Sequence, residues 1–350
     1  MSNKAFASKI STLVDPHFRK MDEIFSEDDK ARLYQVADVI WGNDEPMPLD
    51  DAVKALERAE AVVCAGWRYG EDALYNAPNL RAILTVSGGF PLDFDYDYCF
   101  DKRIRVMSVS PAFGPQVAEM ALGMAIASAR QITEGDRAMR AGNEKYLWDG
   151  NEDTFPLFGQ KVGFIGYGGL AWALHPLLKP FGCDISVYDP WLGDGFLRHQ
   201  GVTPVDLDSL LSESRIIFVL AVPSGENRAL LDRAKLELIQ QGAVFVLISR
   251  AHVVDFDALT DLVLAKRFRA GIDVFPQEPL APEHPIRTAE WAILSAHRAG
   301  SVKESMWDLG EMVVDDLEAI ALRMPPRRLL MAEPELVVRY RSNRVSAAKK

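Results

Sequence analysis

Three polar residues stand just beyond apolar runs that read as buried strands. Arg250 follows AVFVLIS, Glu278 lies past AGIDVFPQ, and His297 follows WAILSA. Ligands of open α/β sheets bind outside the carboxyl ends of the strands, so these positions face a reactant. An arginine holds a carboxylate at two points and polarises an adjacent carbonyl oxygen. A histidine titrating near neutrality gives or takes a hydroxyl proton. A carboxylate beside it orients the ring and favours its charged form. Singly, each has a plain alternative: a surface arginine, a turn residue before Pro279, a loop histidine. The plain alternatives fit poorly when all three stand at strand ends of one sheet. His17, His175, His199 and His284 read as structural or solvent-facing, and so, less clearly, does His252, two residues after Arg250.

The elements that position these groups begin with KVGFIGYGGLA at Lys161–Ala171. Val162–Ile165 reads as a buried strand, Gly166-Tyr167-Gly168-Gly169-Leu170-Ala171 has the form G-x-G-x-x-A, and WALHPLLKPF is helix-compatible. Gly166 serves the tight turn, Gly168 the approach of backbone to a pyrophosphate, and Ala171 close packing of helix on strand. The helix N-terminus adds unpaired N–H groups and partial positive charge. A second apolar run, Ile185–Tyr188, ends at Asp189, 18 residues after Ala171. A carboxylate there accepts from both ribose hydroxyls and favours NAD over NADP. No Arg or Lys follows until Arg198 to welcome a 2′-phosphate.

At 350 residues the chain is long enough for two domains. Fifty acidic against 39 basic residues give a net charge of −11, which argues against a nucleic-acid partner. The basic end Arg339–Lys350 reads as a solvated tail. Cys64, Cys99 and Cys183 lack C-x-x-C spacing, which points to buried thiols in a reducing compartment and not to a metal site. The N-terminus has no signal-like apolar stretch and no run is long enough to span a membrane, so a cytoplasmic protein is expected.

Residues 1–35 read as charged and mixed, with helical character only in Glu27–Val36. Strands are expected at Ala37–Trp41, Ala61–Ala65, Arg81–Val86 and Ile104–Ser108, with helices at Leu49–Glu60 and Glu71–Ala77 and a glycine turn at Ser87-Gly88-Gly89. Val117–Arg140 reads as one long helix rich in Ala and Met, and Asn143–Phe158 as a connection. Beyond the glycine motif, strands at Ile216–Val222, Ala243–Ile248, Arg269–Phe275 and Trp291–Ser295 bring that sheet to six. Leu207–Leu211, Ala229–Gln240 and Asp255–Lys266 read as helices between them, and Lys303–Arg323 as a final amphipathic one. Such alternation implies parallel sheets covered on both faces.

The chain resembles the D-2-hydroxyacid dehydrogenase family over roughly residues 50–325. The matching segments are VGFIGYGGLAWAL, ISVYDP, FVLISRAHVVDFDAL, AGIDVFPQEPL, ILSAHRAG and VAEMALGMAI. The resemblance implies an α/β protein of two domains, a doubly wound Rossmann domain (127–302) inserted into a flavodoxin-like substrate domain (1–126 and 303–336), with 337–350 as the tail. It assigns catalysis to Arg250, Glu278 and His297. NAD falls to Gly166, Tyr167, Gly168, Gly169, Leu170, Asp189, Pro223, Ser249 and Asp273, the last near the nicotinamide amide. Substrate falls to the Gly88 and Gly89 amides and Arg250, with Trp67 and Arg68 as further candidates in an interdomain cleft. It also implies a homodimer, which the Ala/Met-rich helix suits. Glu278 argues against a formate dehydrogenase, which resembles the family but uses glutamine.

The expected activity is NAD-dependent interconversion of a D-2-hydroxy acid and its 2-oxo acid. The other readings are a non-enzymatic NAD-sensing regulator on the same fold and a dehydrogenase of an unusual donor. Four departures from the family pattern cluster where substrate is expected: Ala251 for a glycine, Arg298 after the histidine, the stretch GGFPLDFDYDYCF, and Phe113 for a common asparagine.

Overall fold

The structure, a computed structural model, describes residues 9–91, 94–222 and 227–338. It divides into two compact units, Met1–Phe113 with Ser301–Lys350, and Gly114–Gly300.

The first unit holds β1 (Ile10–Asp15), β2 (Ala37–Trp41), β3 (Ala61–Cys64), β4 (Ala82–Thr85) and β5 (Arg105–Ser108). They run parallel in the order β2-β1-β3-β4-β5, the flavodoxin-like order. Leu330–Met331 adds an antiparallel edge beside β5. Alternate strand residues feed two cores, Val63 and Leu84 into one, Val62 and Ile83 into the other. Helices Glu27–Val36 and Trp307–Ala321 cover one face, joined by Arg32, whose guanidinium meets Asp315 at 2.6 Å and Glu318 at 3.0 Å. β1 corrects the reading of the first 35 residues. ISTLVD carries two hydroxyl residues, yet it is the strand between β2 and β3, and the buried Thr12 hydroxyl donates to the Ile10 carbonyl.

The second unit holds β6 (Lys161–Ile165), β7 (Asp184–Tyr188), β8 (Thr203–Pro204), β9 (Ile216–Val219), β10 (Val244–Leu247), β11 (Arg269–Ile272) and β12 (Ala292–Leu294). All are parallel, in the order β8-β7-β6-β9-β10-β11-β12. The direction of strand addition reverses between β6 and β9, the switch point of a doubly wound sheet. The two-residue β8 is the strand missing from the expected six. Helix Gly114–Ala129 packs against β10 and β11. A Cβ at Gly271 would lie 2.9 Å from Met124 Cβ, so this approach of helix to strand requires glycine.

Two expected helices differ. Val117–Arg140 is broken at Gln131, whose φ of 51° is left-handed, into Gly114–Ala129 and Ile132–Ala141. Ala229–Gln240 shrinks to Arg233–Glu237, because Ala229 is also left-handed and Leu231 bridges to Val254 instead. The break at Gln131 has a use. Glu134, in the new first turn, meets the buried guanidinium of Arg269 at 3.1 Å, while the Trp291 ring lies 4.1 Å from its centre. Burial lowers the Arg269 pKa, with Glu134 acting against that fall. Removing one partner of such a pair leaves a desolvated charge. Glu134→Gln should therefore lower unfolding free energy by about 1–3 kcal/mol. Urea unfolding followed by tryptophan emission checks this, and an unmoved midpoint would mean that Trp291 alone suffices.

Candidate active site

At the end of β6 the chain turns at Gly166, whose φ is 91°. A Cβ there would lie 2.8 Å from Ala221 Cα, so the turn excludes any larger residue. Cβ atoms at Gly168 and Gly169 would meet nothing within 4 Å, and helix Gly169–Leu178 begins there. An open, side-chain-free helix N-terminus of this kind fits a pyrophosphate. Leu170 is half-buried behind it. Tyr167 contributes inward: its hydroxyl lies 2.7 Å from Nδ1 of buried His175, and its N–H donates to Asp189 Oδ2 at 2.8 Å. Burial raises the Tyr167 pKa and lowers that of His175, so both stay neutral. Asp189 Oδ1 accepts from Trp191 N–H at 2.9 Å. Each of its oxygens keeps a second lone pair for a ribose hydroxyl. Pro223 lies outside the described residues.

Beyond β12, His297 Nδ1 lies 2.6 Å from Glu278 Oε2, while Glu278 Oε1 accepts the Phe275 N–H at 2.9 Å. Burial alone would raise the Glu278 pKa. The bonds from His297 and Phe275 and the charges of His297 and Arg250 outweigh it and hold the carboxyl below its ordinary range. The opposite nitrogen, Nε2, has no partner among the described residues. Arg250, whose charge reaches Glu278, donates through Nη1 to the Ser249 carbonyl at 2.8 Å and is otherwise presented outward. Ser249 is buried, its hydroxyl without a partner among the described residues. Ala251 follows in a 3-10 turn, outside the left-handed region, which is why alanine serves where glycine was expected. Asp273, also buried, turns its carboxylate to the N–H groups of Arg298 (2.9 Å) and Ala299 (3.2 Å). Sequence spacing had suggested nothing of this hold on the histidine loop. His284 caps a 3-10 turn, accepting from Ile286 N–H.

In the first unit, the turn after β4 ties its carbonyls inward: Thr85 and Ser87 hydroxyls donate to Gly89 O, and Ser108 to Ser87 O. The N–H groups of Gly88 and Gly89 make no hydrogen bond among the described residues. Arg68 is engaged within the unit. It meets the wholly buried Asp15 at 2.6 Å, donates to the Met47 carbonyl, and shares Asp15 with the Tyr69 hydroxyl. Trp67 packs its ring on Tyr69 and Phe94 and donates Nε1–H to Gly70 O.

An imidazole held by a carboxylate can move the proton of a hydroxyl group. Oxidation of that alcohol also needs an acceptor for the hydride on its carbon, and the glycine turn of the same sheet is shaped for such a cofactor. The class is a nicotinamide-dependent oxidoreductase. Residues 122–299 match the family described as D-isomer specific 2-hydroxyacid dehydrogenase, NAD binding domain. A phosphoglycerate oxidoreductase from Rhizobium etli is 34% identical, with a TM-score of 0.81 covering 93% of this chain and 99% of that one. A glyoxylate reductase of Korarchaeum cryptofilum is 29% identical over 297 residues, 84% of this chain and 89% of that protein. A D-3-phosphoglycerate dehydrogenase of Archaeoglobus fulgidus is 26% identical over 284 residues, 80% of this chain but 53% of that protein, so the chain spans about half of that relative's length. The chain belongs to the D-isomer-specific 2-hydroxyacid dehydrogenase family, NAD-dependent oxidoreductases that interconvert 2-hydroxy and 2-oxo acids. No described helix is long and apolar enough to cross a membrane.

Asp189 gives a direct test of cofactor choice. Asp189→Ala removes the ribose acceptor and the negative charge facing a 2′-phosphate. The ratio of kcat/KM for NADH over NADPH should fall roughly 10–100-fold. An unchanged ratio would show that Asp189 only braces Tyr167 and Trp191.

Proposed function

We propose that His297 is the acid–base of a D-2-hydroxyacid dehydrogenase and that Arg250 holds the substrate carboxylate, with help from the Gly88 and Gly89 amides. The observation that carries this reading is the 2.6 Å contact of His297 Nδ1 with Glu278 beside Arg250. NAD, when bound, supplies the hydride chemistry. The turn at Gly166–Leu170, with Asp189, holds the cofactor, while Ser249 and Asp273 border its nicotinamide end. In the reducing direction His297 gives the carbonyl oxygen a proton from Nε2, and Glu278 fixes Nδ1 so that Nε2 faces the substrate. Arg250 anchors the carboxylate and draws charge from the adjacent carbonyl. The first unit serves the substrate and the second the cofactor.

The relatives' names point to small 2-oxo acids such as glyoxylate, or to phosphorylated ones. NADH oxidation against such a panel tests the activity, and binding of NADH without turnover of any acid would favour a regulator. We read the enzyme as cytoplasmic, in line with its free cysteines, of which Cys64 and Cys99 are pushed up to about 12 by burial. We also read it as a homodimer. The Ala/Met-rich helix is largely buried in its own unit. The exposed run Tyr146-Leu147-Trp148 is the better patch for a second copy.

His297→Ala should lower kcat by ~10²–10⁴ while NADH affinity is kept, as expected when an acid–base is lost and the cofactor turn is untouched. Steady-state kinetics with a fluorescence titration of NADH reads both, and an unchanged kcat would sink the assignment. The Glu278 pair carries a pH signature. Its folded pKa is depressed, so its contribution to stability is complete above the ordinary glutamate range and is lost as pH falls through the lowered value. The stability gap between wild type and Glu278→Gln should therefore close as pH drops from 7 towards 3. A gap that stays constant in urea midpoints would mean the pair contributes nothing.

A further inference from the structure

A recess of about 480 Å³ opens beside Arg250, on the second unit alone. Its polar lining includes Arg228, Arg250, His252 and Asp257, and its apolar lining includes Phe256 and Phe275. Neither Glu278 nor His297 lines it, so it is distinct from the acid–base pair while sharing Arg250 with it.

Three features suit it to an oxyanion. The first is charge. Arg228 and Arg250 make no ion pair among the described residues, against one lining acid, the exposed Asp257. The second is an unmet polar group: His252 Nε2 is buried with no hydrogen-bond partner among the described residues. Burial, then Arg250 and Arg228, oppose a charge on His252, so the three basic groups share one small space. The third is rigidity. The Ala229 N–H donates to the His252 carbonyl at 2.8 Å, the Leu231 N–H to Val253 O at 3.0 Å, and Leu231 bridges to Val254. The segment bearing Arg228 is thereby clipped to the segment bearing Arg250 and His252, so the seat is largely organised before a ligand arrives. Guanidinium groups match phosphate and carboxylate geometry.

We infer that this recess is a second oxyanion seat, in which Arg228 and His252 hold the distal phosphate or carboxylate of a 2-oxo acid whose own carboxylate Arg250 clamps. The inference deepens the reading of Arg250 given above and rests on it. Arg228 and His252 thus set specificity, selecting acids with a second anionic group over glyoxylate.

The test compares kcat/KM for 3-phosphohydroxypyruvate with that for glyoxylate, using the full chain with NADH, in wild type, Arg228→Ala and Arg228→Lys. Inorganic phosphate is titrated calorimetrically against the same three proteins. Arg228 is exposed, so its loss leaves the core intact. The selectivity ratio should fall roughly 10–100-fold in Arg228→Ala, the effect of removing a charged hydrogen-bond donor, and recover in part in Arg228→Lys. A ratio that holds while phosphate binding weakens by the same factor keeps the seat and makes a free anion its occupant. A ratio and a phosphate affinity that both stay put overturn the seat. Wild type that turns over neither acid overturns the dehydrogenase reading instead, and the phosphate titration still decides the seat.

Discussion

The proposed chemistry depends on the hold that Asp273 has over the loop after β12. His297 sits at a φ of 51°, a left-handed backbone that costs a non-glycine residue about 1–3 kcal/mol unless its surroundings impose it. Here they do. The Asp273 carbonyl accepts the His297 N–H at 2.8 Å, one step beyond the β11–β12 ladder, and its two carboxylate oxygens take the next two amides. Hydrogen bonds to a buried charged group each contribute about 1.5–3 kcal/mol, enough to offset the strained backbone. The ring is therefore delivered to Glu278 by a backbone that has little freedom to move it. The loop asks of residue 298 only an N–H, which explains how an arginine serves there with its side chain outside.

The same sheet explains where close approach decides residue type. At Gly166 the neighbour is the backbone of Ala221, which cannot move aside without disturbing β9, and at Gly271 it is the Met124 side chain of the covering helix. Both glycines lie in segments that carry the site: one turns the chain towards the cofactor, the other sets the depth at which β11 delivers Asp273. Ala251 marks the contrary case. No left-handed backbone is required there, so the departure from glycine says nothing about catalysis.

What was legible in the sequence follows from range. Arg250, His297 and Asp189 each closely follow an apolar run and Glu278 lies a few residues past one, so a local pattern and one topological rule sufficed to put them beyond strand ends. Parallel sheets and the doubly wound domain likewise followed from local alternation, whereas the flavodoxin-like character of the other unit came only from the family resemblance. β1 did not, because ISTLVD lacks a continuous apolar signature and owes its place to strands 27 and 49 residues away by register, Ile10 against Ala37 and Thr12 against Ala61. The break at Gln131 was hidden because no glycine or proline marks it. Arg68 is a candidate for ligand contact in the sequence, and its pairing with Asp15, 53 residues earlier, is one that no local rule reveals. Arg228 stands in SGENRALL, where nothing distinguishes it from a solvated arginine until the clip to His252 is seen.

An enzyme for anions built from a chain of net charge −11 has an electrostatic difficulty, since its own field repels the substrate. The site resolves it by how its acids are used. Asp189 accepts from Tyr167 and Trp191, Asp273 from Arg298 and Ala299, and Glu278 from Phe275 while it meets His297. Each of these carboxylates is thus answered by N–H dipoles or an imidazole of the chain itself. Arg250, apart from its bond to the Ser249 carbonyl, and Arg228 form no ion pair among the described residues. The negative groups of the site are turned to structure, while the two guanidinium groups are exposed. Screening over roughly 8 Å at physiological salt weakens the long-range repulsion from acids elsewhere on the surface. In the proposed reading, recognition is decided by the guanidinium groups at contact, not by net charge.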